Sequence, residues 1–204
     1  MPGETRTVSF TAMKDGTRAD YLLLRELEQP FVAATAERLL RELARQQEET
    51  LGGYQVTRLE HALQAATRAR RDGADADWVV AALLHDVGDS LAPNNHDRLA
   101  AEILRPHVRE EVTWTVAHHG LFQLYYYAAH YGWDRHAREQ HRAHPCFDNT
   151  VAFCERWDQS SFDPGYRSDP LESFAETVRA VFARTPYDPA VLQAGRSAPL
   201  PVAP

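Results

Sequence analysis

Apolar residues recur along most of this chain with the 3.6-residue period of an α-helix. Between residues 31 and 48, Val32, Ala36, Leu39 and Leu43 share one face, and charged residues occupy the opposite face. No segment alternates apolar and polar residues in the way that a half-buried strand requires. The pattern therefore predicts an all-α fold, a single helical bundle of about eight helices. The predicted helices cover residues 31–48, 59–70, 77–84, 96–104, 110–118, 122–131, 146–159 and 171–183, with Asp77 as the N-cap of the third.

The two ends of the chain differ in composition from the helical part. Residues 1–20 are polar and predicted to be loose, and residues 191–204 form a tail rich in proline that is predicted to be disordered. Residues 21–190 between them form the predicted domain. The net charge of −7, from 29 acidic and 22 basic residues, argues against a protein that binds nucleic acid through a general phosphate field.

Hydropathy and cysteine content indicate the compartment. The longest strongly apolar stretch, residues 78–84, is far shorter than the ~20 residues that a membrane span needs. Two cysteines are too few for a disulfide scaffold and are expected to be reduced thiols. We therefore expect a soluble, cytoplasmic protein that binds neither nucleic acid nor a membrane.

The strongest local signal is a very apolar helix that ends in the adjacent residues His85 and Asp86. Two desolvated polar side chains cost several kcal/mol unless they are paired or bind a metal. An imidazole and a carboxylate together suit ions such as iron, manganese or zinc, and one carboxylate can bridge two metals. Gly88 is expected to end the helix at a point where the backbone passes close to a neighbouring part of the fold. The pair therefore predicts a metal site at the end of this helix.

Further candidate ligands lie on other predicted helices. In chain order they are His61, His96, His118 and Asp158. His107 is the alternative to His96 for the same position. His96 is preferred because the helix that it opens, with AAEIL at 100–104, resembles the pattern of a known family. His119 is open between a role beside the metals, a substrate contact and a helix cap.

The order His, His-Asp, His, His, Asp resembles that of the HD-domain superfamily, an all-α metal-binding fold. The segments that carry the resemblance are LEHALQAA at 59–66, LHDVG at 84–88, LAAEIL at 99–104 after His96, and WDQ at 157–159. The resemblance implies a dinuclear centre in which Asp86 bridges the two ions. The implied ligands are His61, His85, Asp86 and Asp158 for one ion, and Asp86, His96 and His118 for the other.

Within this superfamily, the chain resembles the mixed-valent di-iron oxygenases that cleave organophosphonates. The segments HHGLFQLYY at 118–126 and SFDPGY at 161–166 are similar to the subgroup that acts on 1-hydroxy-2-(trimethylamino)ethylphosphonate. The resemblance implies two iron ions, Fe(II)/Fe(III), which bind a small phosphonate and O2. The implied products are phosphate and a carboxylate, here glycine betaine, and a separate hydroxylase is a possible source of the 1-hydroxyl group.

Several residues are candidates for contacts with such a substrate. Asp89 follows His85 by four residues, where aminated relatives carry a histidine that contacts the substrate. Asp89 is therefore either a counter-ion for the ammonium group or a helix-terminal cap. Tyr125 and Tyr126 belong to a run of three tyrosines at 125–127. This run either forms part of a cage for the ammonium group or packs in the fold. The candidates for the phosphonate end are His119, Gln123 and Arg156, together with three arginines at 135, 138 and 142.

One position departs from the family pattern. Relatives carry a Tyr-x-x-Glu pair ahead of the first histidine, and its tyrosine caps an iron until the substrate arrives. The matching positions here are Leu51 and Tyr54, so Tyr54 is the candidate gating residue. Two other functions remain alternatives. One is an HD phosphohydrolase, in which a metal-bound hydroxide attacks a phosphate ester, and the other is a catalytically silent HD-fold module that binds a small ligand.

Overall fold

The structure, a computed structural model, describes residues 6–48 and 53–201. Nine α-helices lie within these residues: α1 (Arg18–Ala33), α2 (Thr35–Arg45), α3 (Arg58–Arg71), α4 (Ala76–Leu84), α5 (His96–Leu104), α6 (Glu110–Tyr127), α7 (Phe147–Phe153), α8 (Glu172–Phe182) and α9 (Pro189–Leu192). Cys154–Asp158 forms a π-helical turn directly after α7. No strand occurs in the described residues, which confirms the predicted all-α fold. None of their helices is long and apolar enough to cross a bilayer.

Helix α4 lies at the centre of the hydrophobic core. Every residue from Trp78 to Leu84 is at most 5% exposed. A helix that is apolar on all sides is stable only where neighbours cover each face. Helix α3 covers one face with small side chains that allow close approach, those of Ala62, Ala65, Ala66 and Ala69. Helices α6 and α8 pack on other faces, so the residues that follow Leu84 emerge deep inside the bundle.

The remaining helices surround the end of α4. Helix α5 packs along α6, and α6 packs on α7. The π-helical turn packs against α3. The first turn of α3, the segment after α4, the start of α5, the middle of α6 and the π-helical turn therefore converge on one region, where the candidate ligands lie.

The N-terminal region is more ordered than the sequence predicted. Residues 1–20 were expected to be loose, but α1 begins at Arg18, and a capping box between Thr17 and Asp20 caps its N-terminus. The predicted helix 31–48 is also divided, because α1 ends at Ala33 and α2 begins at Thr35. The Thr35 hydroxyl donates to the backbone oxygen of Val32. A hydrogen bond from a side chain therefore takes the place of a backbone hydrogen bond of the helix at this point.

Two predicted helices in the second half of the chain are joined, and a third differs in the type of its last turn. The segments 110–118 and 122–131 form one helix, α6, because Gly120 does not interrupt it. A glycine inside a helix costs only about 1 kcal/mol, which the packing of α6 between α5 and α7 outweighs. The predicted helix 146–159 instead consists of α7 and the π-helical turn.

The C-terminal tail also differs from its prediction. Residues 191–204 were predicted to be disordered, but the described part up to residue 201 lies on the bundle. The backbone N–H of Ala198 donates to Glu111, Asn149 donates to the oxygen of Ala198, and Leu200 is 6% exposed. Polar backbone partners and one apolar anchor therefore hold a segment whose proline content favoured disorder.

The N-cap of α4 is Asp75 and not the predicted Asp77. The Asp75 carboxylate accepts the backbone N–H groups of residues 77 and 78. Asp77 is buried and pairs with Arg184 at 2.6 Å, and it also accepts the backbone N–H of Arg109. It therefore connects α4 to the chain before α6 and to the chain after α8.

Candidate metal centre

Two imidazoles and two carboxylates form the first group of potential ligands. The Nε2 atoms of His61 and His85 lie 3.1 Å apart. Each of them lies 3.4 to 3.5 Å from Asp86 Oδ2 and from Asp158 Oδ1. Atoms bonded to one ion at about 2.0–2.2 Å are themselves roughly 3.0–3.5 Å apart. The four side chains therefore have the mutual spacing of ligands around a single ion.

A second group uses the other oxygen of Asp86. Asp86 Oδ1 lies 3.3 Å from His96 Nε2 and 3.1 Å from His119 Nε2. The two oxygens of one carboxylate thus face two different sets of imidazoles. This is the arrangement that a bridging carboxylate between two ions requires.

The backbone fixes which nitrogen of three histidines is available. Each of these imidazoles points its Nδ1 at a backbone oxygen: His61 at Ser161 (2.9 Å), His85 at Ala82 (2.9 Å) and His119 at Val116 (2.7 Å). A neutral imidazole that donates through Nδ1 carries a lone pair on Nε2. Three lone pairs therefore point toward two carboxylates. This backbone support is the usual orientation of histidines that bind a metal.

The electrostatics of the cluster call for positive charge at its centre. Burial would lower the pKa of His61, but the carboxylates of Asp158 and Asp86 raise it to about 10. Burial would also lower the pKa of His119, but the Asp86 carboxylate raises it to about 9. Asp158 Oδ2 is buried and, within the described part of the chain, has no hydrogen-bond partner. Lone pairs, carboxylates and this orphaned oxygen together fit divalent or trivalent metal ions.

The position of His119 corrects the prediction for His118. These neighbours point in different directions from α6, and only His119 reaches Asp86. His118 instead donates through Nδ1 to the backbone oxygen of Trp114 and stacks on its ring, with the centroids 4.0 Å apart. His119 was a candidate for the substrate or for a cap, and the structure places it among the potential ligands.

The structure separates the two alternatives for the ligand on or near α5. His96 lies within 3.3 Å of Asp86, whereas His107 packs against the ring of Phe182 at 4.9 Å. His96 is therefore the member of this pair that the fold brings to the cluster.

The π-helical turn brings Asp158 into the cluster. The backbone N–H of Gln159 donates to the oxygen of Cys154, the wide spacing of a π-helix. The turn buries Asp158 to 3% exposure and presents it to His61 and His85. A π-helical turn often occurs at functional sites, and here it aims the potential ligand that comes last in the order of the chain.

A cavity of about 320 Å³ opens directly on the cluster. Residues from both groups line it, and so do aromatic and neutral polar side chains. They include Tyr54, Thr57, Gln123, Tyr126, Tyr127, Gln159 and Phe162, and the cationic side chain of Arg58 lines the same cavity. A cavity of this size suits a small molecule.

Several predicted substrate contacts lie outside this cavity. Tyr125 packs under Arg138 and Arg135, with the guanidinium carbons 3.8 and 4.2 Å from the ring centroid. Arg156 pairs with Asp72 and is not among the residues that line the cavity. The candidates that do line it are Gln123, Tyr126, His119, Asp89 and Tyr54.

The aromatic wall of the cavity includes a residue that the sequence analysis did not single out. The ring of Phe162 stacks on His61 at 4.5 Å and on Tyr54 at 5.3 Å. Tyr54, the candidate gating residue, is thus connected to His61 through Phe162. Leu51, the other departure from the family pattern, lies outside the described residues.

Arg58 was also missed, although helical periodicity points to it. It precedes His61 by three residues on α3, so the two side chains share a face. Its guanidinium forms an ion pair with Asp89, and both side chains are largely buried. Asp89 is therefore already paired with a cation from the protein, which weakens its predicted role as the counter-ion of an ammonium group.

Comparisons with known proteins agree with this geometry. Residues 58–147 match the family described as HD domain, a range that holds every potential ligand except Asp158. A curated protein from Leisingera caerulea, 1-hydroxy-2-(trimethylamino)ethylphosphonate dioxygenase (glycine-betaine-forming), is 32% identical over 92 residues. The match covers 40% of this chain and 47% of that protein, so the chain spans about half the length of the curated relative it matches. Residues 58–147 are thus similar to an HD domain, and the structure contains His and Asp clusters that could hold metal ions.

Proposed function

We propose that this chain is a di-iron oxygenase that uses O2 to cleave the C–P bond of a small 1-hydroxyphosphonate. The proposed substrate is 1-hydroxy-2-(trimethylamino)ethylphosphonate or a close analogue, and the products are phosphate and a carboxylate such as glycine betaine. The observation that carries the proposal is the Asp86 carboxylate, whose two oxygens face two sets of imidazoles at the floor of one cavity. The similarity to the dioxygenase from Leisingera caerulea supports this substrate class.

The proposed reaction balances without a further co-reactant. The C–P and C1–H bonds break, the carbon fragment becomes a carboxylate, and phosphorus leaves as phosphate. Each fragment gains one oxygen atom from O2, and the four electrons lost by the substrate reduce that O2. Two iron ions, when bound, supply the redox chemistry and the Lewis acidity for this reaction.

The residues of the chain hold and orient this centre. His61 and His85 with Asp158 would hold one ion, His96 and His119 the other, and Asp86 both. The Nδ1 contacts of three imidazoles with backbone oxygens keep the rings from rotating. Because the ligands come from α3, α5, α6 and the segments after α4 and α7, the core of the bundle fixes their spacing before any ion binds.

The cavity walls suit the remainder of the proposed substrate. Tyr54, Phe162 and Tyr127 present aromatic faces, which attract a quaternary ammonium group by ~0.5–2 kcal/mol each. Burial raises the pKa of Tyr126 to about 12, so its hydroxyl stays protonated at neutral pH and can donate to a substrate oxygen. The aromatic wall also limits the entry of water to the cluster.

Phosphate release with and without O2 tests the proposal. The protein is loaded with iron under argon, and the trimethylamino phosphonate is then added under argon or in air-saturated buffer. We expect phosphate only in air, with one O2 consumed per phosphate. Phosphate released from a phosphate monoester under argon, with none from the phosphonate in air, would instead show an HD phosphohydrolase. Ligand binding with no turnover of either substrate would show a binding module.

A further inference from the structure

Arg58 is the only arginine among the described residues that line the cavity, and none of those residues is a lysine. Its side chain is only 13% exposed, and that of its partner Asp89 is 14% exposed. A guanidinium buried to this degree needs partners for its five N–H donors. Within the described residues, Asp89 is the only one that pairs with it. Donors of Arg58 therefore remain available to a molecule in the cavity.

The pair lies beside the second group of potential ligands. Asp89 Oδ1 is 3.7 Å from His96 Nδ1, and His96 Nε2 is 3.3 Å from Asp86 Oδ1. The guanidinium is thus anchored one imidazole away from the bridging carboxylate. A group bound at the cluster could reach Arg58 without crossing the cavity.

The pairing also changes the charge that the wall presents. Asp89 balances Arg58, so this part of the wall carries no excess negative charge for an ammonium group. A guanidinium held by a carboxylate on one edge keeps its other donors in a fixed plane, which matches the oxygens of a phosphonate or a phosphate. Neutral donors nearby, the side chains of Thr57, Gln123 and Gln159, line the same cavity.

We propose that Arg58 is the oxyanion-binding residue of this cavity, which takes a phosphonate or phosphate group, and that Asp89 is the residue that positions it. This inference rests on the proposed function for the choice of substrate class. It assigns the ammonium group of the substrate to the aromatic wall of Tyr54, Phe162 and Tyr127 and not to Asp89.

Binding of inorganic phosphate and of methylphosphonate to the iron-loaded protein under argon tests the proposal. Calorimetry gives the dissociation constants of the wild type and of Arg58→Gln, Arg58→Lys and Arg71→Gln. Arg71 is the matched control, because it lies on α3 but pairs with Asp169 and the Tyr166 hydroxyl outside the cavity. We expect Arg58→Gln to weaken both anions at least tenfold, Arg58→Lys to weaken them less, and Arg71→Gln to change them by less than twofold.

Iron content and the far-ultraviolet circular dichroism of each variant accompany the titrations. Equal iron content with a tenfold loss of anion affinity supports the subsite. Unchanged anion affinity in Arg58→Gln would overturn it, and so would a wild type that binds neither anion. If Arg58→Gln does not fold, a loss of less than twofold in the folded Arg58→Lys variant would overturn it.

The role of Asp89 is tested with Asp89→Asn in two backgrounds. If Asp89 acts only by holding Arg58, the substitution changes phosphate affinity in the wild type by at least threefold but by less than 1.5-fold in the Arg58→Gln background. Equal changes in both backgrounds would contradict a positioning role. Tetramethylammonium binding that is lost in Asp89→Asn would return this residue to the role of counter-ion.

The anion titrations test the Arg58 subsite and the O2 experiment tests the proposed function, so either claim can fail without the other. Phosphate binding under argon needs no turnover, so it tests Arg58 even if the chain releases no phosphate from a phosphonate. O2-dependent phosphate release with an Arg58→Gln variant of unchanged anion affinity would leave the proposed function standing and remove the subsite.

Discussion

At the scale of single residues, helical register decides which of two adjacent histidines reaches the cluster. Val112, Val116 and His119 follow one another at intervals of four and three residues on the buried face of α6. His118 shares its side of the helix with the half-buried Trp114. The sequence pattern predicts an end to this helix at residue 118, and a helix that ended there would leave His119 without a helical register.

Replacement of the two histidines separates their roles. We expect His119→Ala to lose one of the two bound metal ions, since it removes one of three potential ligands in the second group. His118→Ala is the matched control, because it deletes a ring stacked on Trp114 and leaves both groups intact. Metal per chain is measured by mass spectrometry after iron loading and desalting. Normal iron in His119→Ala with a deficit in His118→Ala would reverse the assignment.

The aromatic wall makes a second prediction at this scale. Tyr54→Ala removes one ring of the wall, so we expect the KM for the trimethylamino phosphonate to rise about 2- to 30-fold, the equivalent of ~0.5–2 kcal/mol. The KM for 1-hydroxypropylphosphonate, which lacks the cation, should rise less. Tyr125→Ala is the control, because Tyr125 lies against Arg138 and Arg135 outside the cavity. Equal increases for both substrates in Tyr54→Ala would contradict a cation contact.

At the scale of helices, the sequence predicts best where burial follows one periodic face. Helices α3 and α4 lie close to their predicted bounds, because the alanine face of α3 and the apolar residues of α4 leave few alternatives. The division between α1 and α2 and the continuity of α6 depend on a threonine hydroxyl and on packing between helices. The π-helical turn has no periodic signature of its own, so its effect on Asp158 could not be predicted.

The contact between the segment after α4 and helix α5 is tested at Gly88. A Cβ on Gly88 would lie 2.8 Å from Leu99 Cδ2 and 3.1 Å from Leu99 Cβ, so the helix that carries His96 would have to move. We expect Gly88→Ala to lower the free energy of unfolding by about 1–3 kcal/mol. The double variant Gly88→Ala, Leu99→Ala should be less destabilised than the sum of the single variants. Additive effects in urea unfolding would show that the clash does not occur.

The N-terminal capping box of α1 makes the stability depend on pH. Hydrogen bonds from the Thr17 hydroxyl and from the backbone N–H groups of Ser9 and Thr17 hold the pKa of Asp20 below its usual range. A carboxyl group with a depressed folded-state pKa stabilises the fold above its unfolded pKa of about 3.9, and this stabilisation is lost as the pH falls toward the folded-state value.

The difference in Tm between the wild type and Asp20→Asn should therefore be larger at pH 7 than at pH 2.5. Asp15→Asn removes an exposed carboxylate two residues before the N-cap Thr17 and is the control. A difference in Tm that stays constant between the two pH values, or that grows at low pH, would contradict the assigned role of the Asp20 carboxylate.

At the scale of the whole molecule, the candidate centre depends on contacts between distant parts of the chain. His61 and Asp158 are almost a hundred residues apart, and their atoms lie 3.4 Å from each other. The sequence predicts most of the residue types and their order, because an adjacent His and Asp at the end of an apolar helix need partners. It does not predict Arg58, Phe162 or the exchange of His118 for His119, since these follow from how the helices turn against one another.

The C-terminal segment shows the same limit. Its composition predicts disorder, yet Leu200 is buried and Ala198 bonds to Glu111 and Asn149. Those partners lie on α6 and α7, so the bundle supplies the contacts that hold the described part of this segment. A local sequence pattern cannot report an interaction of this kind.

The central claim is that one cavity holds two metal ions bridged by Asp86, and the number of ions per chain tests it most directly. Iron is loaded under argon, excess metal is removed, and iron and protein are quantified in the wild type and in Asp86→Ala. We expect two ions per chain in the wild type and neither held tightly in Asp86→Ala, because each group loses the ligand that they share. One ion per wild-type chain, or two ions retained by Asp86→Ala, would contradict the account.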